Sequence, residues 1–355
     1  MSPVSVSAAA PAAASLSAPL PLSAELAQHL RAGLGDGRII PCLGPGVLAD
    51  VVSQRDGRAL PVTSEAMIIA MNGGRPMAPK LMFEFSRAAM NIELKRGRAA
   101  IKRFLDTTYD SDEWARAAAH DWLREIAPPY VIDFNRDRQL LDGYASRRPA
   151  LHQVVLGCAR LGGTAYRFRL FRYDGEGYVA IEPELADPSL PTLFKPLGAP
   201  LPDGVRGVGG GATVGGGAGV AGFGGAGAVG GVGGVGGVGG VGALRPESSY
   251  IASDADFVDY LTELMGGFGV PAFLKRRREQ KRYLLLGLRL TRDTERMLLR
   301  DICHGAAEGP AGWALLPQAS AKERRFCAQL GFSVIDADVG DLMRAAGGVP
   351  AAPAG

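Results

Sequence analysis

Residues 207–242 hold 21 glycines, 8 valines, 5 alanines, one threonine and one phenylalanine, with no charge and no proline. Such a stretch cannot build a packed core, because glycine gives up the most backbone entropy on ordering and has no side chain to bury. From Val229 onward the pattern is a triplet, Val-Gly-Gly repeated. Glycine at every third place belongs to collagen only when proline fills the other places, and here none does. A flexible linker is expected. Lengthening a loop from about 6 to about 36 residues costs only ~1.6 kcal/mol of closure entropy. The tract is therefore free to interrupt one domain and need not separate two.

The first 24 residues are equally free of charge; without them and the tract, 295 residues carry all 75 charged side chains. That is a globular proportion, and enough chain for one large core. A net charge of +3 is too small to demand a polyanionic partner. Cys42, Cys158, Cys303 and Cys327 stand far apart with no Cys-x-x-Cys, which excludes a zinc ribbon and predicts reduced thiols. Pro3, Pro11, Pro19 and Pro21 break the apolar N-terminal run, which also lacks the Lys or Arg of a signal peptide. A cytoplasmic protein without a membrane segment is expected, with unstructured tails at 1–23 and 346–355 around a domain at 24–345.

Within that domain the apolar spacing alternates between the two regular periods. Helices are expected at 24–34, from a Thr63 or Ser64 cap through Met71, at helical spacing from Leu81 to Leu105, and at 114–126 before Pro128-Pro129. Strands are expected at 39–43, 130–134 and 154–158. Asp174-Gly175-Glu176-Gly177 reads as a hairpin turn between strands at 166–173 and 178–181. Short apolar pieces, Leu193-Phe194 and Tyr250-Ile251, flank the tract. Helices at 254–265, 292–302 and 320–330 then alternate with strands at 283–288, 313–316 and 332–335. This alternation predicts an α/β fold with a Rossmann-like, mostly parallel sheet flanked by helices. It continues across the tract, so a single domain with a long Gly-rich insertion is expected.

The first strand runs into Leu43-Gly44-Pro45-Gly46, a turn whose backbone N–H groups could approach a diphosphate. Further on stand Ile132-Asp133-Phe134-Asn135-Arg136-Asp137, Lys195-Pro196-Leu197-Gly198, Ser253-Asp254-Ala255-Asp256-Phe257, and Leu286-Gly287-Leu288 leading to Asp293. In this order the five resemble the motifs of the bacterial sirtuin-like family, whose distant members include protein deacetylases and antiphage NAD hydrolases. The resemblance covers about residues 24 to 345, with the tract between the third and fourth of these motifs. It implies NAD or an ADP-ribose-type nucleotide as ligand, held by Gly44, Gly46, Asn135, Asp137, Gly287 and Asp293. It also makes Asn135 the candidate catalytic residue, since an amide can orient a water beneath an anomeric carbon.

Two departures limit the chemistry. The histidine of the family's Lys-x-His-Gly is a catalytic base, and here that place is Leu197, which accepts no proton. Pro45 stands where the family has alanine and removes one N–H from the turn. The four-cysteine zinc module of the deacetylase branch is missing, which disfavours deacetylation. His29, His120, His152 and His304 match no family position and read as surface or core residues. The expected role is a nucleotide-binding sensor or regulator that has lost turnover. An active NAD glycohydrolase of the antiphage-defence type, and a scaffold that binds no nucleotide, are the alternatives. Without a ligand, Asn135 reads as a helix N-cap, and Asp137 and Asp293 as residues stabilising helix starts. The basic run 275–282 is expected in a solvated helix end or loop, and 167–173 as a strand with Phe168 and Leu170 inward. Neither predicts nucleic-acid binding. Self-association into a homo-oligomer stays open.

Overall fold

Alternation within single strands divides the protein into layers. In β1 (Ile39–Leu43), Ile39 and Leu43 pack into one apolar cluster while Ile40 and Cys42 pack into another. A strand buried on both faces needs helices on both sides. The structure, a computed structural model, describes residues 18–109, 113–147, 151–160, 164, 166–200, 205, 249–267, 269–303 and 311–347. The Gly/Val tract, most of both tails and His304 lie outside the described residues.

Before the tract the chain forms α1 (Ala24–Gly35), β1, α2 (Ser64–Met71), α3 (Phe85–Arg96), α4 (Arg98–Tyr109), α5 (Ala118–Ile126) and β2 (Tyr130–Asp133). Then come α6 (Gln139–Ala145), β3 (His152–Gly157), β4 (Phe168–Tyr173), β5 (Tyr178–Ile181), β6 (Thr192–Lys195) and β7 (Gly198–Ala199). After it follow β8 (Ser249–Tyr250), α7 (Asp254–Met265), α8 (Ala272–Arg277), β9 (Arg282–Leu286) and α9 (Asp293–Cys303). The series closes with β10 (Gly312–Leu315), α10 (Ala321–Gln329), β11 (Phe332–Ile335) and α11 (Val339–Ala345).

Nine strands form one sheet in the order β11-β10-β9-β1-β2-β6-β3-β4-β5. Pairing is parallel from β11 to β3, and β4 and β5 add an antiparallel edge. The expected α/β, Rossmann-like sheet is thus present, and strands from both sides of the tract share it. Pro41 removes one ladder donor from central β1, and pairing with β2 starts only at Cys42. Side chains of α1 to α6 and α11 enter the cluster on one face. Those of α7 to α10 enter the cluster on the other. β7 and β8 pair antiparallel, Gly198 with Tyr250 and Ala199 with Ser249, so the described ends beside the tract lie next to each other.

Several local expectations change. The helical spacing from Leu81 to Leu105 is two helices, because Gly97 at φ +78° breaks the run, and Leu81 sits in a 3₁₀ turn. The helix expected from Trp114 starts only at Ala118. Trp114 instead bridges Ser53, and its indole N–H donates to Thr108 O at 2.7 Å. Leu20, placed in the tail from sequence, donates to Val334 O at 2.7 Å and extends the sheet beside β11. The basic run is not simply solvated either. Arg278 is buried and donates to Ile302 O, and Arg277 donates to Leu190 O at 2.7 Å. In β4, Phe168 and Leu170 are buried as expected. Arg167 is held by Asp259 at 2.6 Å, and Arg172 donates to Leu185 O. All four cysteines are free and buried. Among the described residues no helix is long and apolar enough to cross a membrane.

Candidate functional site

The strand order reverses around β1. The chain leaves β1 toward β2 on one side, and later returns to place β9 on the other. In an open parallel sheet the crevice at such a reversal, past the carboxyl ends of the strands, is where ligands bind. Here the turns after β1 and β9 interlock. Gly44 donates to Leu286 O and Gly46 to Gly287 O, both at 2.8 Å. A Cβ on Gly46 would stand 2.8 Å from the Cα of Gly287. Gly287, at φ +67°, leaves only 2.5 Å to Val47 N. Turn-to-turn packing therefore accounts for these glycines without a phosphate. Pro45 has no N–H, and the amides of Gly44, Gly46 and Val47 already donate within the protein. The phosphate-cradling role expected of this turn has lost its donors.

Beside the turns lies a cavity of about 410 Å³, within the usual range for small-molecule pockets. Its apolar wall includes Met67, Phe85, Tyr109, Phe134, Leu197 and Phe257. Its polar lining includes Asn135, Glu84, Glu295, Arg136 and Arg292, several serine and threonine residues, and Arg289, whose guanidinium is already taken up by Pro317 O and Glu323. Arg136 is buried, donates to Ile251 O at 2.6 Å and stacks over Phe85, while its Nε has no partner. Burial lowers its pKa. The Oε2 of Glu295 is shut off from solvent without a hydrogen bond. Burial first, and then the charge of Glu84, push its carboxyl up to about 8. Burial also raises Glu84, whose Oε2 accepts a 3.4 Å bond from Thr294.

Asn135, Gly46 and Gly287 line the cavity, and so does Leu197. Asn135 does not cap a helix; Arg138 is the N-cap residue of α6. Instead its Nδ2 donates to Gly44 O at 3.1 Å and to Asp133 Oδ1 at 2.9 Å, tying β2 to the turn after β1. With both donors used, its Oδ1 is what it can offer a ligand. Gly44 is not among the lining residues. Asp137 turns away, and its Oδ1 accepts from Gln139 N at 2.9 Å at the start of α6. Asp293 begins α9 with a largely exposed side chain, 3.2 Å from Arg296. Neither aspartate lines the cavity.

Among the described histidines none lines the cavity. His29 is exposed, His120 is buried, and His152 stacks on Tyr173 with Nε2 2.9 Å from Tyr178 Oη. Glu84, Arg136, Arg289, Arg292 and Glu295 line the cavity without having been expected there from the sequence. Arg136 carried a signal, standing between two residues already singled out at a strand end. Glu295 lies among other charged residues and carried none, whereas Glu84 is a lone charge in the apolar run Leu81-Met82-Phe83-Glu84-Phe85, a signal passed over. No protein-family model matches the chain, and no curated protein sequence is similar to it.

Proposed function

We propose that the chain binds a nucleotide of the NAD or ADP-ribose type in the cavity beside β1 and β9, with little or no turnover. The observation that carries this reading is the cavity's place at the strand-order reversal, with arginines and an aromatic wall facing one space. Guanidinium groups suit phosphates, and Phe85, Phe134 and Phe257 suit a planar ring. Arg136 and Arg292 take the anion-binding role that the glycine turn cannot fill. Asn135 Oδ1 would accept from a ribose hydroxyl. With leucine at position 197 and no histidine among the described lining residues, the family's base has no counterpart. Calorimetric titration tests the reading. NAD or ADP-ribose should bind, and Asn135→Ala should weaken binding by about 1–3 kcal/mol. Absence of heat and of a thermal shift at millimolar ligand would leave the scaffold reading.

One observation favours a second reading, a working NAD glycohydrolase: two carboxyls, Glu84 and Glu295, share the cavity. A carboxyl raised toward neutrality can exchange a proton with water attacking a glycosidic carbon. Nicotinamide release that is lost in Glu295→Gln would move this reading to first place.

A further inference from the structure

Outside the cavity lining and bonded to Asn135 through Asp133, three potential metal ligands converge: His120 of α5, Asp133 at the end of β2, and Asp137 before α6. One donor atom from each lies within 4.8 Å of the others, and all three residues are buried. Both ring nitrogens of His120 lack a hydrogen-bond partner at 0% exposure, and so does Asp137 Oδ2. Leaving a buried polar atom unpaired typically costs about 1–3 kcal/mol. One ring nitrogen of His120 and Asp137 Oδ2, both unpaired and belonging to one cluster, call for an occupant between them. Asp133 is already served, its Oδ2 by Lys195 and its Oδ1 by the backbone and side chain of Asn135. Lys195 offsets one carboxylate, which leaves Asp137 with no cation of its own among the described residues nearby.

We infer that His120 and Asp137, with Asp133 alongside, bind one divalent transition-metal ion of the zinc, manganese or iron type. An imidazole nitrogen and carboxylate oxygens form the donor set these ions share, while calcium and magnesium take oxygen alone. His120 Nδ1 stands 3.9 Å from Asp137 Oδ1, within the roughly 4.2 Å that two ligands can span across one ion at their usual bond lengths. The ion braces the strand end that carries Asn135, because Asp133 is bonded to that residue twice. This inference does not depend on what the cavity binds.

The test uses the full chain, first stripped with a chelator and then titrated with Co²⁺ or Zn²⁺ alone. The expected result is one tightly held equivalent and a higher Tm. Visible absorption of the Co²⁺ form should show ligand-field bands without a near-ultraviolet thiolate band, since no cysteine belongs to the cluster. Asp137→Asn, close to isosteric, and His120→Ala should each weaken Co²⁺ binding at least about tenfold. Wild-type protein that takes up no stoichiometric ion would overturn the inference and leave the place to an internal water. A thiolate band, or full affinity in a folded Asp137→Asn or His120→Ala chain, would overturn it too.

Discussion

Glu295 has nothing in its sequence surroundings to mark it, yet it holds the most consequential proton in the cavity. Its ordinary value is 4.5, and burial and Glu84 push it up to about 8. A carboxyl raised in the folded state supports folding fully below its unfolded value, and that support is lost as pH rises through the folded value. Stability should therefore fall between about pH 4.5 and pH 8 from this group alone. Glu295→Gln keeps the shape and removes the titration. Thermal unfolding at pH 5 and pH 9 should show the variant gaining on wild type at the higher pH by at least about 1 kcal/mol, the worth of a single pKa unit. Parallel curves would mean that the carboxyl reaches water. Residues at strand ends were legible, because a strand running into a turn delivers its last side chains to the sheet's edge. Asn135 reached the cavity for that reason. Asp137, two places on, was turned aside by its bond to Gln139 N, which no spacing rule foretells.

Among the elements, α7 shows how one buried carboxylate fixes a helix. Asp256 is fully buried, and its Oδ2 accepts from the backbone N–H of Ala252 and Ser253. Its Oδ1 meets Arg98 of α4, and Arg160 at 2.9 Å. Arg98 and Arg160 are partly exposed, so removing Asp256 strands no buried charge; what is lost is a charged acceptor's hydrogen bonds, about 1.5–3 kcal/mol. Urea unfolding of Asp256→Ala should show a loss of that order, and a loss under about 1 kcal/mol would mean that the arginines find water instead. A capping box of Ser253 and Asp256 closes the start of α7, whose bounds, Asp254 to Met265, are those expected from the sequence. α11, of 7 residues, was not anticipated, and α6 and α8, of 7 and 6, were foreseen only as a helix start at Asp137 and a basic helix end, without bounds. Helices that short make too few turns for a periodic pattern to stand out.

For the whole molecule, alternation of apolar periods gave the class of fold but not the order of its strands. β6 lies between β2 and β3, a choice made by pairing partners distant in sequence. The cavity was illegible for the same reason, since it exists only once β9 lies against β1. Because β7 and β8 pair at the two ends of the tract, replacing 207–242 by a short Gly/Ser loop should leave one cooperative unfolding transition. Stability should rise by about 1 kcal/mol from shorter loop closure. Two separate transitions by calorimetry would mean two domains and end the insertion reading. The interlocked turns also bear on inheritance. Recombination within the Val-Gly-Gly triplets could lengthen or shorten the tract while leaving both walls of the cavity as they were. Exchange between two diverged parental genes at the same place would join a first wall from one ancestor to a second wall from the other. Such a chimera meets its first test where Gly46 touches Gly287, a contact with no room for even one added methyl group.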